Sequence, residues 1–430
     1  GSPAGVPLTI VPSETHQIID GFGVSINSAS WDNGELVPAL DLLLDGGSTI
    51  FRVVAEMTDW ESTNDNADAQ SINWCSFTPI YTNPRFDELW RTIEYLNQRG
   101  VEDRLVLSFM GRVPSWMGGA DVSASMIDEW VETVASVAYY GRVTRGLRFG
   151  MFSPSNEIDW DGIEGPRMSA QTFATALRRL AQKLDTLGLS DLRLIGPETA
   201  DINSGLGAYR QAMMAEPIVM QKLAAFALHN YVGSTGGART ILDASAYPFE
   251  RFWISELSLI EHVFLSVGGD ASAVLVWDGY DSVYQHAILA NRGTVPPNDA
   301  GNGPALLAYS TATHGYTPRR IYYDFAQLAK WVAPGSVRIG AREDLTDLEA
   351  FAFRSAATGR VTIVGRNSGT ARTLSLSGLG GFSSLDHFRT SSSEKLTELA
   401  DVVLTNGSAS VSVPSGSVFT LTGLPNGACP

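Results

Sequence analysis

Two glutamates each follow a short apolar run with the composition of a β-strand. Glu157 ends the segment Phe152-Ser-Pro-Ser-Asn-Glu, and Glu256 ends the segment Phe252-Trp-Ile-Ser-Glu. Two carboxyls that face each other across a pocket, one protonated and one ionised, can act as general acid and nucleophile on the same bond. Each glutamate alone is as simply explained as a solvated or salt-bridged strand end. The chemistry therefore depends on whether the chain brings the two together.

The elements that would do so are eight β-rich segments separated by amphipathic helical stretches. This alternation is typical of parallel βα units, and eight such units close most economically into a (β/α)8 barrel. We predict strands at residues 16–26, 48–55, 104–110, 147–153, 192–196, 225–231, 251–256 and 273–277, and helices at 85–100, 126–140, 170–187, 208–223 and 321–332. Glu157 then follows strand four and Glu256 ends strand seven, so both side chains point into one pocket at the carboxyl ends of the strands.

The last quarter of the chain has a different pattern. From Val337 onward, short alternating strands with glycine-rich turns predict an all-β sandwich. An early strand, Leu8 to Pro12, could pair into that sandwich. We predict a catalytic barrel over residues 16–332 and a sandwich made of 1–15 plus 333–430. The segment 281–320 is either an active-site loop, which we favour, or a disordered excursion.

Composition limits the partners. The formal net charge is −16, from 46 acidic and 30 basic residues, which argues against nucleic acid or an anionic membrane as partner. Scarce Lys, abundant Ser, Thr and Gly, and one glycosylation sequon at Asn406 weakly favour secretion, so we expect a secreted monomer. Cys75 and Cys429 could form one disulfide or remain two thiols.

No cofactor and no metal is expected from the sequence. The six His residues show no metal-ligand spacing. Calcium in the Asp-rich segment 59–68 is kept as a less favoured alternative.

Several strand-end motifs, taken with the two glutamates, resemble those of the retaining glycoside hydrolases of clan A, and particularly glycoside hydrolase family 30. They are Ile19-Asp-Gly-Phe-Gly23, Phe51-Arg-Val53, Val113-Pro-Ser-Trp-Met117, Gly196-Pro-Glu198, His229-Asn-Tyr231 and Val276-Trp277. The resemblance spans nearly the whole chain. It implies that Glu157 is the acid/base, that Glu256 is the nucleophile, and that the sandwich packs against the barrel and includes an N-terminal strand.

The resemblance also implies roles for five polar residues. Asn156 would hydrogen-bond the sugar 2-hydroxyl, Arg52 would stabilise the ionised nucleophile, and Tyr231 would orient it through its hydroxyl. Arg52 could instead form an ordinary ion pair of the barrel interior, and Tyr231 could serve packing alone. Glu198 and His229 are candidates for binding the sugar, with a strand cap and a satisfied buried histidine as the respective alternatives.

Three tryptophans are candidate platforms for sugar rings. Trp116, Trp160 and Trp277 follow predicted strands, and pyranose faces present C–H groups to aromatic rings. Packing in the core is the alternative for each of them. The choice among xylan, β-1,6-glucan, β-1,6-galactan and β-1,3-glucan stays open. Arg292 is the one candidate for gripping a glucuronic acid substituent.

These observations predict a retaining β-glycoside hydrolase that cleaves an extracellular polysaccharide or oligosaccharide. One alternative is a barrel that has lost catalysis and only binds carbohydrate, for which the aromatics would suffice. A second is a barrel enzyme of unrelated chemistry, such as an aldolase or a metal hydrolase. The lack of a Lys or His cluster at the strand ends argues against the second.

Overall fold

The strands of a barrel, and the turns that follow them, position the candidate side chains that the structure describes. The computed structural model describes residues 5–27, 30–56, 61–160, 162–244, 251–281, 305–310 and 312–428. The barrel strands are β2 (Gly21–Asn27), β3 (Ile50–Glu56), β4 (Leu105–Met110), β5 (Met151–Ser153), β6 (Arg193–Asp201), β7 (Leu223–Val232), β8 (Phe252–Leu257) and β9 (Ala273–Val276). They form a closed barrel in chain order, each strand parallel to the next, and β9 pairs back to β2. The predicted (β/α)8 fold class is confirmed.

Helices surround the barrel and bury their apolar faces against the outer side of the strands. Two of them have clear N-caps, since the side chains of Asn83 and Ser169 accept from the backbone N–H groups of Phe86 and Thr172. The described α-helices are Val37–Asp45, Trp74–Tyr81, Pro84–Gln98, Ile127–Tyr139, Ala170–Thr186, Ile202–Ser204, Arg210–Met214, Pro217–Lys222, Ala238–Asp243, Ile260–Gly268 and Arg320–Ala329. Short 3-10 or π turns cover Asp32–Gly34, Ser115–Met117, Ala124–Met126, Tyr140–Thr144 and Gly205–Tyr209.

Two predicted elements are broken in the structure. The strand predicted at 16–26 is divided before Gly21, whose φ of +152° an L side chain rarely adopts, and its first residues belong to another sheet. The helix predicted at 208–223 is interrupted before Pro217, which has no N–H to continue the preceding helix. Strand β6 runs five residues past its predicted end at Gly196, which places Glu198 within the strand.

A second domain contains the remaining long strands. They are β1 (Val6–Ile18), β12 (Val337–Arg342), β13 (Leu348–Arg354), β14 (Val361–Asn367), β15 (Arg372–Ser377), β16 (Ser384–Thr390), β17 (Thr397–Val403), β18 (Ala409–Val413) and β19 (Ser417–Gly423). The order is β17-β16-β19-β14-β13-β12-β1-β15-β18, with a core of its own that includes Leu8, Ile363, Leu374 and Phe419. Strand β1 pairs antiparallel with β12 and parallel with β15. The predicted β-sandwich is thus confirmed, while the exact domain limits stay a prediction.

The helix Arg320–Ala329 joins the two domains. Gln327 is fully buried; its Nε2 donates to Thr390 Oγ1 at 3.0 Å, and Thr420 Oγ1 donates to its Oε1 at 2.7 Å. Before this helix, β10 (Leu307–Ser310) and β11 (Gly315–Pro318) form a hairpin in the predicted loop 281–320.

Several expectations fall partly or wholly outside the described residues. Arg292 and Cys429 belong to that group, so the glucuronate grip and the disulfide stay predictions. Cys75 is exposed. None of the described helices is long and apolar enough to cross a membrane.

We expect Gln327→Ala to destabilise the protein. The change removes two side-chain hydrogen bonds at a buried boundary, while Thr390 and Thr420 keep main-chain partners. At about 0.5 to 1.5 kcal/mol for each bond, the free energy of unfolding should fall by about 1 to 3 kcal/mol. Urea denaturation followed by tryptophan fluorescence measures this. Gln182→Ala, an exposed glutamine of the helix Ala170–Thr186, is the matched control; equal effects of the two changes would contradict the assignment.

Candidate active site

The interior of the barrel is layered. Side chains two residues apart on a strand face the same side, so each strand contributes to successive layers. The lower layer is apolar and contains Ile50, Val106, Met151, Ile195, Ala225, Trp253, Ala273 and Leu275. Two residues further along β3, β4, β5 and β8, the buried side chains are Arg52, Ser108, Ser153 and Ser255. A single guanidinium thus lies among small hydroxyls on top of an apolar plug.

Arg52 is fully buried and has a partner for each nitrogen. Its Nε donates to Ser108 Oγ at 3.1 Å and lies 3.6 Å from Glu198 Oε1. NH1 donates to Glu256 Oε2 at 2.8 Å, and NH2 donates to Asn156 Oδ1 at 2.6 Å. The guanidinium therefore fixes the amide next to Glu157 and the carboxylate of Glu256 relative to each other.

Glu256 lies at the end of β8 and is 5% exposed. Each carboxylate oxygen has a donor, because Oε1 accepts from the Tyr231 hydroxyl at 2.8 Å and Oε2 accepts from Arg52. Tyr231 lies on β7 and is 46% exposed, so it borders the open side of the pocket. The two donors hold the Glu256 carboxylate in one orientation.

Glu157 follows β5 in a turn that is fixed to β6. Its φ is +40°, in the left-handed region that non-glycine residues seldom adopt, and its backbone N–H donates to the Glu198 carbonyl at 2.8 Å. Nearby, the Asp159 carboxylate accepts from the backbone N–H groups of Ala200 and Asp201. The side chain of Glu157 is 6% exposed. Contacts across two strands thus hold its uncommon conformation.

His229 connects the three carboxyls. Its ring is fully buried, with Nδ1 2.9 Å from Glu157 Oε1, and Nε2 3.2 Å from Glu198 Oε2 and 3.6 Å from Glu256 Oε2. Burial by itself lowers the pKa of His229, but Glu256, Glu157 and Glu198 outweigh it and raise the pKa to about 10. The ring is therefore an imidazolium at neutral pH and donates from both nitrogens.

Glu198 lies beneath His229 and is only 1% exposed. It accepts from Ser153 Oγ at 2.9 Å and from Ser255 Oγ. Burial would raise the pKa of Glu198, but Arg52, His229 and Ser255 together lower it to about 2. This position favours a structural role over contact with a sugar. Its φ of +58° places it, like Glu157, in the left-handed region.

Glu157, His229 and Glu256 each offer a possible ligand atom, and these atoms lie within 4.8 Å of one another. A metal-bound imidazole needs a nitrogen lone pair. Both nitrogens of His229 instead lie within hydrogen-bond distance of carboxyl oxygens of Glu157 and Glu198, and Arg52 already binds Glu256. The described side chains thus bind one another here, and a metal would have to displace these contacts.

The remaining predicted residues lie around this centre. Asn156 is buried, and its Nδ2 donates to the Glu164 carbonyl at 3.2 Å, opposite its bond from Arg52. Trp160 is 48% exposed, and Trp277 is half-buried at the end of β9. Trp116 is half-buried, and its Nε1 donates to the Glu61 carbonyl at 2.9 Å. Their binding of a sugar stays a prediction.

The sequence analysis did not identify the serines that hydrogen-bond to the buried charges of Arg52 and Glu198. Ser153 and Ser255 bind Glu198, and Ser108 binds Arg52. A signal was present, since each serine follows an apolar interior residue at a spacing of two on a predicted strand. Serine is too common in this chain for that spacing to stand out before the barrel is known.

No protein-family model and no curated protein matches the chain, whereas several solved structures have a similar fold. Among solved structures, the GH30 endoxylanase from Clostridium papyrosolvens is 18% identical with a TM-score of 0.73, over 97% of this chain and 100% of that one. The catalytic domain of GH30 xylanase C from Talaromyces cellulolyticus is 16% identical with a TM-score of 0.74, over 97% and 99%.

An endo-β-1,6-glucanase is also similar, at 15% identity and a TM-score of 0.68 over 98% of this chain and 94% of that one. The chain therefore has the two-domain fold of these GH30 enzymes over at least 97% of its length, and the predicted resemblance is confirmed at the level of the fold. Identities below one fifth leave the activity to be argued from the site.

We expect His229 to remain doubly protonated at pH 8, because its buried ring lies against the carboxyl groups of Glu157, Glu198 and Glu256. Nitrogen chemical shifts of histidine-labelled protein, assigned with His229→Asn, measure this. The imidazolium pattern should persist up to about pH 9, well above the usual histidine pKa of about 6.5. A neutral tautomer of His229 at pH 8 would contradict the charge assignment.

We expect Arg52→Met to be strongly destabilising. Removal of one partner of a buried ion pair leaves uncompensated charge, which costs about 3 to 5 kcal/mol, whereas exposed pairs contribute about 0 to 1 kcal/mol. Denaturant titration should show this difference between Arg52→Met and Arg91→Met, since Arg91 forms an exposed pair with Asp87. Similar losses in the two variants would mean that Arg52 does not organise the site.

Proposed function

We propose that this protein is a secreted retaining β-glycoside hydrolase that cleaves a β-linked polysaccharide or oligosaccharide by double displacement. The observation that carries the proposal is the pair of carboxyls at the ends of β5 and β8. One carboxyl oxygen of Glu157 and one of Glu256 lie within 4.8 Å of each other. Retaining pairs are about 5 to 5.5 Å apart, and inverting pairs are about 6.5 to 9.5 Å apart to admit a water.

The different surroundings of the two carboxyls support their division of roles. Glu256 accepts from a guanidinium and a phenol, which stabilise an ionised and oriented nucleophile. In the described residues, the Glu157 side chain forms one hydrogen bond, between Oε1 and His229. Its Oε2 can therefore carry the proton that is delivered to the leaving oxygen.

The charge of the cluster supports the presence of that proton. Arg52 and His229 supply two positive charges, and Glu157, Glu198 and Glu256 supply three negative charges when all are ionised. One proton shared by the group brings the buried cluster to neutrality, which a low-dielectric site favours. Glu198 and Glu256 each accept hydrogen bonds on both carboxylate oxygens, whereas Glu157 accepts on one, so we assign the acid role to Glu157.

In the reaction, Glu157 donates its proton to the glycosidic oxygen while a Glu256 oxygen attacks the anomeric carbon, and the bond to the leaving group breaks. The glycosyl ester neutralises Glu256. Glu157, now ionised, takes a proton from water, whose oxygen displaces Glu256 from the anomeric carbon. Asn156, held by Arg52, would bind the 2-hydroxyl, a contact that strengthens in the oxocarbenium-like transition state.

The substrate class follows from the aromatics and from the comparisons. Trp160 and Tyr231 are half-exposed at the mouth of the barrel and suit uncharged sugar faces. Structural neighbours are described as xylanases and as an endo-β-1,6-glucanase. Xylan and β-1,6-glucan are therefore the first substrates to test, with β-1,6-galactan and β-1,3-glucan next.

Secretion as a monomer is part of the proposal. A structural neighbour is described as a conserved exported protein from Bacteroides fragilis, and the acidic composition suits a freely soluble chain. A barrel that only binds carbohydrate would not need a nucleophile held by two donors beside a second carboxyl, and this favours the enzyme over the binding protein.

We expect Glu256→Gln to lose at least about 10⁴-fold in kcat on any glycan that the wild type cleaves, because the covalent intermediate cannot form. Glu157→Gln should lose activity on glycans but retain formation of the intermediate from aryl glycosides with good leaving groups, since these need no proton. A panel of β-glycans, with product anomers followed by NMR, measures both.

Glu398→Gln, at an exposed position on β17, is the control and should match the wild type. Initial products of inverted configuration, or undiminished activity in Glu256→Gln, would overturn the mechanism. A wild type that binds β-glycans without cleaving any of them would support the binding protein instead.

A further inference from the structure

The segment 162–165, which follows the turn that contains Glu157, packs directly against the backbone of Asn156. Gly165 is buried, and a Cβ atom at this residue would lie 1.6 Å from the Asn156 carbonyl oxygen and 2.7 Å from its carbonyl carbon. Real Cβ atoms essentially never show contacts under 3.0 Å. Gly165 does not have a positive φ, so the close approach alone requires glycine here.

The close approach brings a backbone carbonyl to the Asn156 side chain. The Glu164 carbonyl accepts from Asn156 Nδ2 at 3.2 Å, while Arg52 NH2 donates to Asn156 Oδ1 at 2.6 Å. A guanidinium can only donate and a carbonyl can only accept, so these two partners determine which end of the amide faces which neighbour. The Asn156 side chain, which is 1% exposed, is therefore oriented from both sides.

One donor of the Asn156 amide remains for a ligand. The NH2 group has two hydrogens, and one of them is bonded to the Glu164 carbonyl. Within the part of the chain that the structure describes, the Asn156 side chain forms only this bond and the bond from Arg52. Because the amide is planar, fixing its oxygen and one N–H also fixes the direction of the second N–H.

The segment 162–165 is held in place by the loop after β4, so it cannot simply move away from Asn156. Arg112 Nε donates to the Gly162 carbonyl at 2.9 Å. Just beyond the segment, the Arg167 N–H donates to the Ala120 carbonyl at 2.8 Å, and the Val122 N–H donates to the Arg167 carbonyl at 3.0 Å. A side chain added at residue 165 would therefore displace Asn156 or break these bonds.

We propose that Gly165 is a positioning residue for cleavage of the glycosidic bond. The absence of a side chain at Gly165 lets the Glu164 carbonyl aim the second N–H of Asn156 at the 2-hydroxyl of the reacting sugar. This role rests on the proposed hydrolysis, and Gly165 acts through Asn156 without touching the substrate. In Gly165→Ala the contact must open from 1.6 Å to at least 3.0 Å. A displacement of about 1 Å at an active site can cost about 10²-fold in rate.

The first test requires no substrate. Protein labelled with nitrogen-15 at asparagine gives side-chain amide signals in NMR spectra, and the Asn156 pair is assigned as the pair that is lost in Asn156→Ala. We expect this pair to shift in Gly165→Ala and to stay in place in Gly380→Ala. Gly380 is the matched control, since a Cβ atom there meets no other atom within 4 Å. An unshifted Asn156 pair in Gly165→Ala would overturn the proposal.

The second test compares substrates with and without the 2-hydroxyl. The substrates are dinitrophenyl β-xylobioside and β-gentiobioside, each paired with the analogue that lacks the 2-hydroxyl of the reacting sugar. Their kcat/KM reports formation of the glycosyl-enzyme, which needs no acid with so good a leaving group. Gly165→Ala should lose about 10²-fold in kcat/KM on the hydroxylated substrates and less than about threefold on the analogues. Equal losses on both would overturn the proposal, because a general structural defect affects both.

Arg112→Met is a second variant, which perturbs the same segment without a steric conflict and keeps the test decisive if Gly165→Ala does not fold. Loss of the bond to the Gly162 carbonyl should also shift the Asn156 amide pair and lower kcat/KM more on the hydroxylated substrates than on the analogues. The absence of both effects would overturn the proposal. A wild type that cleaves no glycoside would contradict the proposed hydrolase, and the amide signals would still decide whether Gly165 positions Asn156.

Discussion

A fully buried guanidinium at the centre of the barrel is the constraint on which the site depends. An isolated charge in a protein interior is strongly unfavourable, so Arg52 can be accommodated only where oxygen acceptors surround it. Strands β4 and β8 supply Ser108 and Glu256, and the turn after β5 supplies Asn156. Small serines leave room for the guanidinium above the apolar plug. Three strands are thereby fixed relative to one cation.

His229 provides the second positive charge and hydrogen-bonds to a different pair of carboxyls from those near Arg52. Arg52 bonds to Glu256 and lies near Glu198, whereas His229 bonds to Glu157 and Glu198. Glu198 is common to both cations and is hidden below them. It therefore acts as a fixed counter-charge that keeps His229 protonated.

The structural neighbours have the same fold at identities of 18% or less, and their described substrates differ. This is the usual relation between a barrel scaffold and its chemistry, because the strands fix the reacting groups while loops determine the substrate.

The sequence by itself determined the eight-stranded barrel, the sandwich and the positions of Glu157 and Glu256. Strand order in a parallel barrel follows chain order, and the strand ends meet at one mouth. The alternation of strands and helices was therefore sufficient to predict that both glutamates lie at that mouth. It did not predict the break before Gly21 or the extension of β6 to Asp201, because both depend on backbone conformation and strand pairing that residue types alone do not show.

Only the tertiary structure decided which polar residues touch. Glu198 and His229 were candidates for binding sugar, and their burial beneath the pocket could not be seen from residue type. The serines around Arg52 come from three separate strands, β4, β5 and β8. Spacing along one strand or helix fixes the face on which a side chain lies, whereas burial, charge balance and proton affinity depend on what other segments place opposite it.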